Sequence, residues 1–301
     1  MAHITTRDGV RLRIKDWGQG RPVVLLHGWP LSSDTFDDLA LAIADAGFRA
    51  IAYDRRGFGR SDQPWGGYDY DTLADDLSSV IDQTEARGAT LIGFSMGGGE
   101  VARYLSRYPD NSVGSAVLIS SVVPYLHRAD DNPDGVDAAT VEQMIGSITT
   151  DRAKFWSSFF EQFYGVGLIT QPVSDETLTW SSALAMQASL KATLDCVTAF
   201  ATTDFRRDLA AFTIPTLVIH GTGDKTVPIA ATGRRAAAGI PNSILREYDG
   251  APHGLLASNK DDVRRDVLTF LENGSDVEHY APSLATATRE EASPRIPNIP
   301  I

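Results

Sequence analysis

Residues 93–98 read Gly-Phe-Ser-Met-Gly-Gly, which places one serine between glycines directly after the apolar run 89–92. That run is typical of a buried strand, and residues 96–108 have the spacing of a helix. A Gly-x-Ser-x-Gly pentapeptide alone is a weak signal, but an adjoining strand and helix favour a sharp turn that presents the serine hydroxyl. Only very small residues fit two positions before and after a serine in such a strained turn. The alternative, a flexible glycine linker, predicts neither the strand nor the helix beside Ser95.

Strand-like and helix-like segments alternate along most of the chain. The apolar runs 21–28 and 49–54 are typical of buried parallel strands, and residues 70–88 show the apolar spacing of an amphipathic helix. Further strand-like runs follow at 113–120 and 214–221. This alternation predicts an α/β fold with a mostly parallel central sheet and helices on both of its faces.

Residues 122–212 interrupt this alternation. They carry no strand signal and contain aromatic-rich helical stretches, which predicts a helical cap inserted into a core formed by 1–121 and 213–273. Residues 274–301 are rich in proline and show little periodicity. We therefore expect an extended or disordered C-terminal tail.

The composition limits the partners of the protein. The chain carries 39 acidic against 27 basic residues and no basic cluster, which argues against nucleic acid or an anionic membrane as partner. The sequence has no long apolar run and no apolar stretch of a secretory signal at its N-terminus, so we expect a cytoplasmic location. The single cysteine, Cys196, excludes an intrachain disulfide. The exposed helices are compatible with a homo-oligomer, but no sequence feature fixes one.

A serine hydroxyl needs a base and an orienting acid to become a nucleophile at neutral pH. His253 lies in a loop after the last predicted strand, at the sheet edge where Ser95 emerges, and we expect it to be the base. His27 and His220 end strands before glycines, which is typical of structural donors at turns. Asp224 follows a strand and a glycine-rich turn at the same edge, which makes it the expected acid.

A tetrahedral intermediate at Ser95 needs two N–H donors for its oxyanion. We expect the backbone N–H of Met96, at the start of a helix, and that of Trp29, in the turn after the strand 21–28, to supply them. The sequence contains no zinc-like cluster, P-loop or Gly-x-Gly-x-x-Gly turn, so neither a metal nor a nucleotide cofactor is expected.

Longer motifs add to this pattern: HGWPLSSD (27–34), YDRRGFGRSDQP (53–64), GFSMGGGEVARY (93–104), HGTGDKTVP (220–228) and GAPHGLL (250–256). With them the sequence resembles the α/β-hydrolase superfamily. More narrowly, it resembles the cofactor-free bacterial haloperoxidases, also called perhydrolases, and the aryl esterases and γ-lactamases grouped with them. The resemblance covers nearly all of 1–273 and implies an α/β-hydrolase fold with the triad Ser95, Asp224 and His253.

The resemblance implies two linked activities on small esters or carboxylic acids. Ser95 attacks an acyl donor, and the acyl-enzyme passes its acyl group to water, giving an acid, or to hydrogen peroxide, giving a peracid. The peracid then oxidises halide in solution, which requires neither haem nor vanadate. The resemblance also implies that Pro30 turns the carbonyl before it toward the acyl centre, where this carbonyl accepts a hydrogen bond from peroxide. The alternative is that Pro30 only stiffens the loop.

We expect a mostly apolar pocket beside Ser95, suited to small aliphatic or aryl acyl groups. Trp29, Pro30, Phe94, Phe159 and Val227 are its candidate lining residues. The sequence places no basic residue in it. Further aromatic residues of the insert are candidates for its roof, although at helical spacing most pack between cap and core: Phe155, Trp156, Phe160 and Trp180.

Two other functions stay open at this point. A γ-lactamase or a lactonase uses the same triad, so the triad does not separate these enzymes from an esterase. A ligand-binding protein of this fold is a more remote alternative, against which the intact Ser95, Asp224 and His253 argue. Relatives with an aspartate nucleophile are disfavoured because a serine occupies the turn.

Overall fold

The computed structural model describes residues 2–109 and 112–273, and the predicted tail at 274–301 lies outside them. The strands, in chain order, are β1 (His3–Thr5), β2 (Arg11–Gly18), β3 (Pro22–Leu26), β4 (Arg49–Tyr53), β5 (Thr90–Phe94), β6 (Ser115–Ile119), β7 (Thr216–Gly221) and β8 (Ser243–Tyr248). They form one sheet in the order β1-β2-β4-β3-β5-β6-β7-β8. The pairs β1–β2 and β2–β4 are antiparallel and all the other pairs are parallel.

Helices pack on this sheet in two groups. The helix α1 contacts β2, β4 and α10, whereas α3 contacts α2 and the central strands. This arrangement confirms the expected α/β fold with a mostly parallel sheet covered on both faces. The helices are α1 (Asp37–Asp45), α2 (Tyr70–Gln83), α3 (Met96–Arg107), α4 (Ala138–Thr150), α5 (Arg152–Phe163), α6 (Asp175–Gln187), α7 (Leu190–Thr202), α8 (Gly233–Gly239), α9 (Leu255–Ser258) and α10 (Lys260–Asn273).

The centre of the sheet is apolar because β3 and β5 have helices on both sides. Both strands are buried along almost their whole length, and Leu26 of β3 lies opposite Gly93 of β5. Parallel strands run in one direction, so the loops that follow β3, β5, β7 and β8 gather at a single edge of the sheet. This edge brings together chain segments that are far apart in sequence.

The four helices α4 to α7 lie between β6 and β7 in the chain, and aromatic contacts join them to that edge. The indole Nε1 of Trp29 donates to the carbonyl oxygen of Thr193 in α7 at 3.0 Å. The Trp29 ring also meets Trp156, Phe159 and Phe200 edge to face, with centroids 5.2–5.5 Å apart. The division of the chain into a core and a cap stays a prediction.

The helix predicted over 70–88 is shorter in the structure. It ends at Gln83, and Glu85 has a φ of 53°. A residue with positive φ cannot continue a right-handed helix, so the chain turns there toward β5. The helix therefore ends close to Ile81, the last buried apolar residue of the pattern, and does not extend through the polar residues up to 88.

Candidate active site

Ser95 lies in a tight turn between β5 and α3. Its φ of 54° and ψ of −116° are outside the conformations that residues with side chains prefer. A β-carbon on Gly93 would lie 2.6 Å from the backbone of Gly97 and Gly98, and one on Gly97 would collide with the carbonyl oxygen of Leu26. The glycines therefore permit the close approach of three backbone segments that the turn requires.

The imidazole of His253 joins Ser95 to Asp224 by two hydrogen bonds. Its Nε2 lies 2.9 Å from the Ser95 Oγ, and its Nδ1 lies 2.6 Å from the Asp224 Oδ2. Because a carboxylate only accepts, Nδ1 carries the proton that it donates to Asp224, and Nε2 is left to accept from the serine hydroxyl. All three side chains are buried. The arrangement can accept a proton from Ser95 while the serine oxygen forms a bond.

Asp224 is held by more than His253. Its Oδ1 accepts from the backbone N–H groups of Thr226 at 2.9 Å and Val227 at 2.8 Å. Burial opposes ionisation of this carboxyl, but His253 and the hydrogen bonds from His220 and His253 outweigh it and hold the pKa of Asp224 well below its usual range. A fixed anion therefore faces His253.

His220 also contacts this carboxylate, which the sequence did not indicate. Its Nε2 lies 2.8 Å from the Val227 carbonyl oxygen and 3.2 Å from the Asp224 Oδ2. Its Nδ1 is buried and has no hydrogen-bond partner within the described part of the chain. The proton of a neutral His220 ring thus lies on Nε2, between two acceptors. The only signal in the sequence was the spacing of four residues between His220 and Asp224.

Apolar rings fix the orientation of His253. The ring of Phe94 lies 5.4 Å from the imidazole, and that of Phe163 lies 4.8 Å away, edge to face. The Ser120 hydroxyl donates to the backbone carbonyl of His253 at 3.2 Å. Phe94, expected in the pocket lining, thus packs against the imidazole.

The two backbone N–H groups expected to bind an oxyanion belong to Met96 and Trp29. Met96 is the first residue of α3, where N–H groups have no partner in the helix. The loop after β3 passes close to the serine, since a β-carbon on Gly28 would lie 3.1 Å from the Ser95 Cβ. The oxyanion-binding role of both groups stays a prediction.

A small cavity opens beside Ser95 and His253, with a volume of about 40 Å³. Of the five candidate lining residues, Trp29, Phe159 and Val227 line it, whereas Pro30 and Phe94 are not among its lining residues. Trp180, a roof candidate, is 41% exposed. The sequence missed the remaining lining residues, which are mostly apolar: Val122, Leu126, Val136, Val141, Met144, Val197, Phe200, Ala201 and Thr226.

His27 has a structural role beneath this site. Its Nε2 accepts from the backbone N–H of Arg55 at 3.0 Å, and its Nδ1 lies 3.0 Å from the Gly28 carbonyl oxygen. The Arg55 guanidinium is buried and paired with Glu100, which also accepts from the Tyr53 hydroxyl at 2.7 Å. Burial and the nearby Arg55 charge lower the pKa of His27 to about 3. His27 therefore stays neutral and secures the end of β3.

Residues 2–109 and 112–273 show neither a metal-binding cluster nor a membrane-spanning helix. No three His, Cys, Asp or Glu side chains there are grouped so that they could hold a metal ion. None of the helices in the same ranges is both long and apolar enough to cross a membrane. Cys196 is fully buried, which raises the pKa of its thiol above the usual value.

Comparison with known proteins adds to this geometry. A family model described as the alpha/beta hydrolase fold matches residues 21–259. A non-heme chloroperoxidase of Kitasatospora aureofaciens is 45% identical over 89% of this chain and 98% of its own length. A bifunctional esterase/perhydrolase of Acinetobacter calcoaceticus is 38% identical over 91% of this chain and 100% of its own. The crystal structure of a bromoperoxidase from Bacillus anthracis superposes with a TM-score of 0.87 at 44% identity, covering 90% of this chain and 99% of that one.

Proposed function

Because the chain belongs to the α/β-hydrolase family and, within it, to the non-heme haloperoxidases and perhydrolases, we propose that it transfers acyl groups from small esters or carboxylic acids to water or hydrogen peroxide. The observation that carries this proposal is the continuous hydrogen-bonded series from the Ser95 hydroxyl through His253 to the Asp224 carboxylate. The small apolar cavity at Ser95 favours a short acyl group.

In the proposed mechanism the Ser95 Oγ bonds to the acyl carbon as its proton passes to the His253 Nε2. The N–H groups of Met96 and Trp29 bind the oxyanion of the tetrahedral intermediate. The intermediate collapses, the bond to the leaving oxygen breaks, and that oxygen takes the proton from His253. Asp224 stays ionised and stabilises the imidazolium throughout.

The acyl-enzyme then reacts with water or hydrogen peroxide. The acceptor gives a proton to His253 and attacks the acyl carbon, and the bond to Ser95 breaks as the serine oxygen regains its proton. Water gives a carboxylic acid and hydrogen peroxide gives a peracid. A peracid that leaves the site oxidises halide and is itself reduced to the carboxylic acid.

Covalent labelling tests this function. A fluorophosphonate should label the peptide that contains Ser95, and Ser95→Ala should lose the label together with ester hydrolysis, by about 10⁴-fold or more. Ser258→Ala, which removes a hydroxyl bonded within its own helical turn, serves as the matched control and should retain both. Bromide oxidation in acetate and peroxide should disappear in Ser95→Ala and persist in Ser258→Ala. Labelling elsewhere, or bromide oxidation that persists without Ser95, would contradict the proposal.

A further inference from the structure

A second chamber adjoins the cavity that contains Ser95. Its volume is about 310 Å³, against about 40 Å³ for the inner cavity. Val136, Met144, Phe159 and Thr226 line both spaces, so the chamber continues the inner cavity outward. Some esters are larger than the inner cavity. When the acyl carbon of such an ester reaches Ser95, its other end must therefore lie in this outer chamber.

The outer chamber is more polar than the inner cavity. Hydroxyl and amide side chains of α4 and α5 line it, whereas the inner cavity is mostly apolar apart from Ser95, His253 and Thr226. Hydroxyl and amide side chains are thus concentrated around the end of a substrate that lies far from the reacting carbon. The polar side chains from the two helices are Thr140, Gln143, Ser147, Ser158 and Gln162.

One charged residue, Lys225, is found among the described residues that line this chamber, and no carboxylate is. No ion pair joins Lys225 to a carboxylate of residues 2–109 or 112–273. The adjacent Asp224 turns away toward His253 and His220. The chain carries 39 acidic against 27 basic residues. No acidic side chain lines this chamber, so the charge of Lys225 makes the chamber a positive region of an acidic protein.

We propose that the outer chamber is a subsite for an anionic group at the end of the substrate remote from the reacting acyl carbon, and that Lys225 selects such substrates. The substrate class is esters of short acids whose alcohol or phenol part carries a carboxylate. This inference rests on the proposed acyl transfer at Ser95. A lysine ammonium is a compact charge on a flexible stem, so it can follow a carboxylate to several positions in a chamber of this size.

Two matched acetate esters test this selection. In 4-acetoxybenzoate the acetyl group fits the inner cavity and the leaving group carries a carboxylate, while the methyl ester of the same compound has no charge. The measured quantity is the ratio of kcat/KM for the charged ester to kcat/KM for the neutral one. An exposed ion pair contributes modestly, so Lys225→Met should lower this ratio about threefold, and Lys225→Glu about tenfold.

Lys154 provides the matched control. It lies on α5 and lines the neighbouring groove but not the chamber, so Lys154→Met removes the same charge from just outside the chamber. The ratio should stay unchanged in Lys154→Met, and added salt should reduce it in the wild type. An unchanged ratio in both Lys225 variants, or an equal fall in Lys154→Met, would overturn the inference. Hydrolysis of neither ester by the wild type would instead overturn the proposed function and the inference with it.

Discussion

The Asp224 Oδ2 lies 2.6 Å from the Nδ1 of His253 and 3.2 Å from the Nε2 of His220, so His220 and His253 share one carboxylate oxygen. Each N–H group that this oxygen accepts restricts where the carboxylate can lie. His220 therefore helps to hold Asp224 where it orients His253, in addition to holding the loop at Val227.

Replacing His220 should consequently lower both stability and catalysis. In His220→Met the Asp224 oxygen loses one donor and the Val227 carbonyl oxygen loses its contact with the imidazole. We expect the free energy of unfolding to fall by about 1–3 kcal/mol, and kcat for a neutral ester to fall with it. His220→Gln, whose amide can donate from a similar position, should keep most of both. Urea denaturation and steady-state kinetics measure the two effects, and a methionine variant as stable and as active as the wild type would contradict this role.

The glycine at position 97 is required by packing. In Gly97→Ala the new methyl group meets the Leu26 carbonyl, so the end of β3 and the turn at Ser95 must separate. We expect the free energy of unfolding to fall by about 1–3 kcal/mol and kcat for ester hydrolysis to fall as well. Urea denaturation and steady-state kinetics measure the two effects. Gly146→Ala, where nothing lies within 4 Å of the added carbon, should be neutral or stabilising by up to about 1 kcal/mol. Equal effects at both positions would contradict this argument.

His27 should make the protein less stable in acid. Its pKa is about 3 when folded and 6.5 in the unfolded reference, so between these values the unfolded chain binds more protons. The free energy of unfolding is therefore highest above pH 6.5, where His27 is neutral in both states. It falls as the pH drops from 6.5 toward 3, because protonation of His27 then favours the unfolded chain. When the pH is lowered from 7.5 to 5.5, protonation of His27 in the unfolded chain should lower the free energy of unfolding by about 1.4 kcal/mol.

The variant His27→Gln tests this contribution. It should be less stable than the wild type at pH 7.5, because it disturbs the contacts with Arg55 and Gly28. Its free energy of unfolding, measured by urea denaturation, should nevertheless fall less between pH 7.5 and 5.5. Curves that run parallel for the two proteins would show that His27 contributes nothing to the acid sensitivity.

Pro30 should influence which acceptor the acyl-enzyme uses. It is buried in the loop that carries Trp29, although it does not line the inner cavity. If the carbonyl before Pro30 accepts a hydrogen bond from peroxide, Pro30→Leu should lower the yield of peracid relative to acid severalfold while hydrolysis falls less. Pro172→Leu, in the exposed loop between α5 and α6, should leave the ratio unchanged. An equal loss of both activities in Pro30→Leu would indicate a loop-stiffening role alone.

The sequence predicted the positions of the three triad residues better than it predicted the lining of the cavity. Ser95, Asp224 and His253 could be named because each follows a strand that ends at the same sheet edge, and the structure places them within hydrogen-bond distance. Pro30 and Phe94 were expected in the cavity because they adjoin Trp29 and Ser95, yet neighbours in sequence turn their side chains in different directions. Phe94 consequently packs on the imidazole of His253.

The sequence by itself determined the turn at Ser95 and the alternation of strands and helices, because glycine sterics and apolar periodicity act over a few neighbouring residues. Only the tertiary structure decided that His220 shares an oxygen of Asp224 and that Lys225 faces a chamber built from α4 and α5. Contacts of this kind join segments far apart in the chain. Their distances depend on strand register and on how the helices pack over the sheet edge, and no local pattern encodes either.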